Sequence, residues 1–302
     1  PPASGAHGSL SPPAGTHSKR NHRLPELSDG PGTNRHSKSA LTMAGSDSGG
    51  GGGIQADLKT FSALGCYGMS VVTALTAQNT TGVTGIHAVP PDFVVQQMAA
   101  VFSDIGADAV KIGMLYSAEL IQVVADGLRR HEAANIVLDP VMVAQSGDKL
   151  LQDAAITALK DHLLPLATVL TPNLPEAAVL LGREVNGLDD MQAAAKSLAA
   201  FGSRSVLLKG GHAQDDDSSD VLYIADEDRC VVLEDRRVRT ANTHGTGCTL
   251  SSAIAAYLAK GETTATAVRN AKVYIGEAIR AGAPYRLGHG SGPVHHFFSF
   301  WS

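Results

Sequence analysis

SALTMAGSDSGGGGGIQADLKTFSALGCYGMSVVTAL, residues 39–75, reads as a strand, a glycine-rich turn, a helix and a second strand. Ala40 to Ala44 is a short apolar run, and Met69 to Leu75 is another, rich in β-branched residues that suit a pleated sheet. Between them Ile54, Leu58, Phe61 and Ala63 with Leu64 recur at close to helical spacing, so one face of that segment is apolar. A strand followed by a helix and another strand builds parallel pairing.

The same alternation runs outward along the chain. Val110 to Ile112, Ile136 to Asp139, Val169 to Thr171 and Val206 to Lys209 are short apolar runs of the kind buried on both faces of a sheet. Helical patterns separate them at about 118–131, 153–162, 174–181 and 189–201, and another starts after Pro90 and Pro91, where proline suits a first turn. Val221 to Ile224 and Cys230 to Leu233 read as a hairpin, and helices at about 247–259 and 263–281 close the pattern. The expectation is an α/β domain over 39–302, with a central, mostly parallel sheet flanked by helices on both faces.

Composition narrows the function. The net charge of -5 leaves no basic footprint for nucleic acid. No apolar run reaches the length of a membrane span, so no membrane association is expected. Cys66, Cys230 and Cys248 are too few and too widely spaced for a disulfide framework or a zinc ribbon, which favours a reducing compartment. Residues 1–38 hold six of the 14 prolines and four of the 12 histidines without apolar periodicity, so disorder is expected there. The cytoplasm is the expected location, with the plastid as the alternative if that extension is a transit segment.

Ligands of an open parallel sheet sit beyond the carboxyl ends of its strands, and four segments there carry chemistry. After the first strand, Ala44 to Ser48 leads into Gly49 to Gly53, which allows close ligand approach as a phosphate cradle or is simply a flexible loop. Thr240 to Thr249 (TANTHGTGCT) leads into an apolar helix, where unpaired N–H groups and the helix dipole make an anion site. Cys248 falls in that first turn, where a thiol's pKa tends to drop. In Thr171 to Glu176 (TPNLPE), Asn173 and Glu176 have the spacing of a capping box and equally offer oxygens to a hydrated magnesium ion. Lys209, before Gly210, Gly211 and His212, can offset phosphate charge at a strand end. The acidic run Asp215 to Asp217 reads as a solvated loop.

Taken jointly, these segments resemble hydroxymethylpyrimidine/phosphomethylpyrimidine kinases of the ribokinase-like superfamily. The resemblance rests on 44–80, KIGML (111–115), LDPVMVAQSGDKLL (138–151), TPNLPEA (171–177), LLKGGH (207–212), NTHGTGCTLSSAIAA (242–256) and GPVHH (292–296), in order along the chain. It implies ATP and Mg²⁺ as cofactors and phosphorylation of hydroxymethylpyrimidine and then its monophosphate, for thiamine synthesis. It places Gln78 on the pyrimidine edge, with Gly45, Asp57, Met114 and Val141 around the ring. Gly245, Thr246 and Gly247 become the anion hole, beside Cys248 as the group that accepts the hydroxyl proton. Asn173, Glu176 and, more loosely, Asp139 place the metal, commonly through water, while Lys209 meets the ATP phosphates. The uninterrupted glycine run departs from relatives, which commonly carry alanine at the position of Gly52. Fusion to a thiamine-phosphate synthase, as in plant relatives, is not expected from these residues. A homodimer is left open. The competing readings are a pyridoxal or pyridoxine kinase and a non-catalytic pyrimidine-binding domain.

Overall fold

The apolar alternation of residues 39–75 becomes β1 (Ser39–Asp47), α1 (Gly53–Ala63) and β2 (Tyr67–Asn79), with the strands paired in parallel. The structure is a computed structural model that describes residues 37–142, 153–210, 219–235 and 237–301. The disorder expected of the N-terminal extension, His212 and the acidic run Asp215 to Asp217 therefore lie outside the described residues, Ser37 and Lys38 excepted. β3 (Gly82–Ala88) follows, then α2 (Pro91–Asp104), β4 (Ala109–Ile112), α3 (Ala118–Arg130) and β5 (Ile136–Leu138). After α4 (Asp153–Ala158) come β6 (Val169–Leu170), α5 (Leu174–Leu181), α6 (Gly187–Ala199), β7 (Ser205–Leu208), β8 (Asp220–Ile224) and β9 (Arg229–Leu233). α7 (Thr246–Ala259) and α8 (Thr264–Gly282) complete the order.

Among the described residues the strands form one sheet in the order β3-β2-β1-β4-β5-β6-β7-β8-β9. The stretch from β2 to β7 is parallel; at the margins β3 runs against β2, β8 runs against β7, and β9 turns back against β8. Successive residues of a strand point to opposite faces, and the two cores divide accordingly. Ala40, Ala109, Val137, Val169 and Leu207 pack against Phe61 of α1 and against α7 and α8. Leu41, Val110, Ile136, Leu138, Leu170 and Val206 pack on the other face, against α2 to α6. Ala40 and Ala109 share this core with Ala253, Ala255 and Ala256, small side chains that let α7 lie close to the sheet. No helix of the described residues is long and apolar enough to cross a membrane.

Two departures from the sequence reading bear on the site. β3 carries no clear apolar alternation and is mostly exposed, because it is an edge strand with one neighbour. The expected helix at 153–162 ends at Ala158 and gives way to a wider turn at Leu159–Leu163 and a tight turn at Leu164–Leu166, where Pro165 cannot donate a helical hydrogen bond. Register also shifts on both sides of β2: between Ala44 and Gly45 of β1, where Thr73 of β2 is passed over, and between Ala77 and Gln78 of β2, where Thr84 of β3 is passed over. Such bulges re-aim side chains, and the second falls at Gln78.

Candidate active site

β1, β4, β5, β6 and β7 release their chains at the same edge of the sheet, at Asp47, Gly113, Asp139, Thr171 and Lys209. A cavity of about 990 Å³ opens there. Of the expected site residues, Gly45, Gln78, Met114, Val141, Asp139, Asn173, Glu176, Lys209, Gly245, Thr246, Gly247 and Cys248 all line it. Asp57 does not.

The glycine-rich loop is neither an open phosphate cradle nor free. The Asp47 carboxylate accepts N–H bonds from Gly49 at 2.8 Å, Gly51 at 3.1 Å and Gly52 at 2.7 Å, so these amides are already paired. His244 Nε2 lies 2.7 Å from the same carboxylate, which ties the loop to the residue preceding the anion hole. Burial alone would raise the Asp47 carboxyl, but the His244 bond and the glycine amides hold it below the ordinary aspartate range. Gly245, with φ of 80°, caps α7, and a Cβ there would collide with the Gly51 carbonyl oxygen. Gly53 has φ of 53°, and a Cβ would strike the Gly45 carbonyl oxygen. The two turns interlock backbone to backbone, which only glycine permits.

Gln78 is strapped to this loop. Ser48 Oγ accepts from the Gln78 N–H at 2.8 Å and donates to its carbonyl at 2.7 Å. Its side-chain oxygen accepts from Thr76 at 3.1 Å, and its Nε2 lies 3.5 Å from His244 Nε2. Beside it Ala74, Met114 and Val141 form an apolar patch separate from both cores, suited to one face of a flat ring.

Asp57 is a correction. Its side chain is buried beneath the cavity, where it accepts from Thr42 at 2.6 Å, Ser252 at 2.7 Å and, through both oxygens, Lys111 at 3.0 Å. A carboxylate with that many internal donors is a buried ion-pair partner, not a ring contact. Lys111 went unread, although a lysine inside the run Ala109 to Ile112 must find a partner to be buried. Asp47 and His244 were likewise missed; an aspartate two residues before a glycine run was the available signal.

Cys248 is the second correction. Burial pushes its thiol up to about 11, with Asp57 and Asp139 adding to the rise, while Lys111 and an N–H bond from Gly53 pull the other way. The helix N-terminus is therefore outweighed by desolvation, and the resting thiol keeps its proton at neutral pH.

The other end of the cavity is charged. Lys209 Nζ donates to Asp139 at 3.1 Å, and Thr171 donates to the same oxygen at 3.2 Å. Asn173 and Glu176 form the capping box of α5, each side chain accepting the other's N–H at 2.8 Å. Asn173 thus holds Glu176 in place. Burial raises the Glu176 carboxyl to about 7; Lys209 lowers it and Asp139 raises it further. Two carboxylates against one ammonium leave surplus negative charge that a divalent cation would offset. Among the described residues no cluster of three or more His, Cys, Asp or Glu could hold a metal alone. Asp139 and Glu176 fit Mg²⁺, which keeps several waters and takes remaining oxygens from a nucleotide's phosphates. The segment after β9 (Asp235, Arg237, Val238 and Arg239) and Ile275 and Ile279 of α8 extend the cavity, a wall with no local motif to announce it.

A family model described as phosphomethylpyrimidine kinase matches residues 47–295. A hydroxymethylpyrimidine/phosphomethylpyrimidine kinase of Rhizobium meliloti (strain 1021) is 54% identical over 263 residues, which is 87% of this chain and 98% of the relative. Among solved structures, the phosphomethylpyrimidine kinase of Clostridium difficile 630 is 44% identical with a TM-score of 0.72, over 80% of this chain and 99% of that one. Bacillus subtilis pyridoxal kinase, solved as an ADP complex, is 39% identical with a TM-score of 0.79, over 86% and 97% of the two chains.

Proposed function

The chain belongs to the phosphomethylpyrimidine kinase family, and from that premise we propose that it phosphorylates 4-amino-5-hydroxymethyl-2-methylpyrimidine and then its monophosphate, with ATP as donor, in thiamine biosynthesis. The observation that carries this reading is that Gln78, the Met114–Val141 patch, the Gly245 to Cys248 turn and the Asp139–Lys209 pair line one continuous cavity.

Gln78 offers both a donor and an acceptor to the aminopyrimidine edge, and the apolar patch takes the ring face. The hydroxymethyl arm then reaches the start of α7, whose free N–H groups stabilise charge on the phosphoryl group in transfer. Lys209 meets the nucleotide phosphates. Asp139 and Glu176 would hold Mg²⁺, which when bound would neutralise phosphate charge, and Asn173 fixes Glu176. In the transfer, the substrate oxygen bonds to phosphorus as the bond to the ADP oxygen breaks, and the substrate hydroxyl loses its proton to Cys248 after that thiol has given its own proton to water. Because such reactions depend chiefly on position and charge, a small thiolate fraction is compatible with turnover.

The test is ADP release with MgATP and, separately, hydroxymethylpyrimidine, its monophosphate and pyridoxine. Turnover of the first two, with pyridoxine much slower, is expected. The likeness to a pyridoxal kinase gives the second reading its weight, and a clear preference for pyridoxine would establish it. Pyrimidine binding without ADP release would reduce the protein to a binding domain.

A further inference from the structure

The mechanism above leaves one fully buried ion pair without a task. Lys111 and Asp57 are both wholly inaccessible, yet Lys111 lines the floor of the cavity with Cys248. α1 and α7 pack against each other beside the pair. Gly53 and Cys248 stand in the first turns of the two helices and both line the cavity, and one turn further along both helices Ser252 Oγ donates to Asp57 at 2.7 Å. Residues four apart share a helix face, so Cys248 and Ser252 look onto the same pair. Space is kept for the ammonium by Gly113, where a Cβ would stand 2.9 Å from Lys111 Nζ. A buried ion pair is a poor source of stability, since desolvation offsets its attraction. Its position under the reactive turn calls for another account.

We infer that Lys111, held by Asp57, is a positioning residue for phosphoryl transfer, supplying fixed positive charge beside the Cys248 sulfur while the substrate hydroxyl gives up its proton. This rests on the kinase reading. In the step, the resting Cys248 thiol first gives its proton to water, a loss that the Lys111 charge favours; the oxygen–phosphorus bond to substrate then forms, the bond to ADP breaks, and the substrate's proton passes to that thiolate, restoring the neutral thiol. The charged groups that bear on the sulfur are Lys111 from β4, Asp57 from α1, Asp139 after β5 and Lys209 after β7. Burial would lower the Lys111 ammonium, but Asp57, with Cys248 and Asp139, raises it above the ordinary lysine value, so the charge persists through the working pH range.

Two variants of the full chain test this. Asp57→Asn removes only the negative partner, and Lys111→Met/Asp57→Asn removes both charges without stranding a buried carboxylate. Cys248 alkylation by iodoacetamide is followed against pH, with peptide mapping to separate it from Cys66 and Cys230. Access changes the rate at every pH, whereas charge moves the midpoint. The midpoint should fall by about one pH unit in Asp57→Asn and rise in the double variant. The double variant should also lose about 10-fold in kcat with pyrimidine KM nearly unchanged. Midpoints that stay put or move together overturn the inference, as does a loss confined to KM. Should the double variant fail to fold, an unmoved or raised midpoint in Asp57→Asn alone overturns it and a lowered one upholds it. No ADP release from the unsubstituted protein would instead sink the kinase reading, with the alkylation midpoints still deciding whether the pair tunes the thiol.

Discussion

Where β1 and β2 form the cavity, Asp47 accepts from three glycine amides and faces His244, and Gln78 is bound to Ser48 at both its N–H and its carbonyl. Where β5 to β7 form it, Asp139 and Glu176 share one Lys209, and burial lifts the Glu176 carboxyl to about 7. The alcohol end has its polar groups satisfied in advance, so a ring can be read by a rigid frame with little ordering entropy to lose. The nucleotide end carries unmatched charge, which favours a cation and polyphosphate and penalises the empty site. One end is tuned for recognition, the other for charge.

The largest effect expected from breaking this contrast falls on the seam between the two ends. Gly245→Ala forces a left-handed residue and a methyl against the Gly51 carbonyl, so the anion hole and the loop must separate. A fall in kcat of about 100-fold or more is expected in steady-state assays, with circular dichroism still native. Near-normal kcat would show that the interlocked turns are not needed for transfer.

Next comes Glu176→Gln, which separates stability from function. The folded-state pKa of Glu176 lies above the ordinary value of 4.5, so its contribution to stability is full below that pH and is lost as pH rises through about 7. Removing the charge should therefore stabilise the ligand-free fold at pH 8, by on the order of 1 kcal/mol in urea unfolding, while activity falls about 10-fold or more. Destabilisation at pH 8 would end the description of this end as charge-burdened.

Gln78→Ala sharpens the other side. Losing a hydrogen-bonding group on a preformed wall should weaken pyrimidine binding about 10-fold, seen by calorimetry, and leave ATP affinity intact. An equal loss of ATP affinity would mean the two ends are not separable. The smallest effect concerns the backing of α7. His296 is buried against Thr249, and burial, with Lys59 and His295, lowers its imidazole to about 3 from an ordinary 6.5. Its contribution is full above pH 6.5 and erodes as pH falls toward 3, by at most about 1.4 kcal/mol per pH unit. Urea midpoints at pH 7 and pH 5 should differ less in His296→Gln than in the unsubstituted protein.

The nucleotide end was the more legible in sequence. Asn173, Glu176 and Lys209 sit in short motifs at strand ends, and local chain geometry fixes such features, whereas at the alcohol end Gln78 was given by the family resemblance and Asp47, Lys111 and His244 were missed. The wall of Val238, Ile275 and Ile279 joins segments distant along the chain, and no short pattern marks it. Asp57 shows the limit within a motif: its position near the site was readable, but whether it faced ring or core depended on Thr42, Lys111 and Ser252 arriving from three other elements.

Apolar period, proline placement and the capping spacing of Asn173 and Glu176 determined the order of strands and helices, and with it the edge where chemistry would gather, because these are properties of neighbouring residues. Only the tertiary structure decided protonation. The thiol of Cys248 and the carboxyl of Glu176 answer to desolvation and to charges carried by remote strands, and those forces exist only once the chain has closed around them.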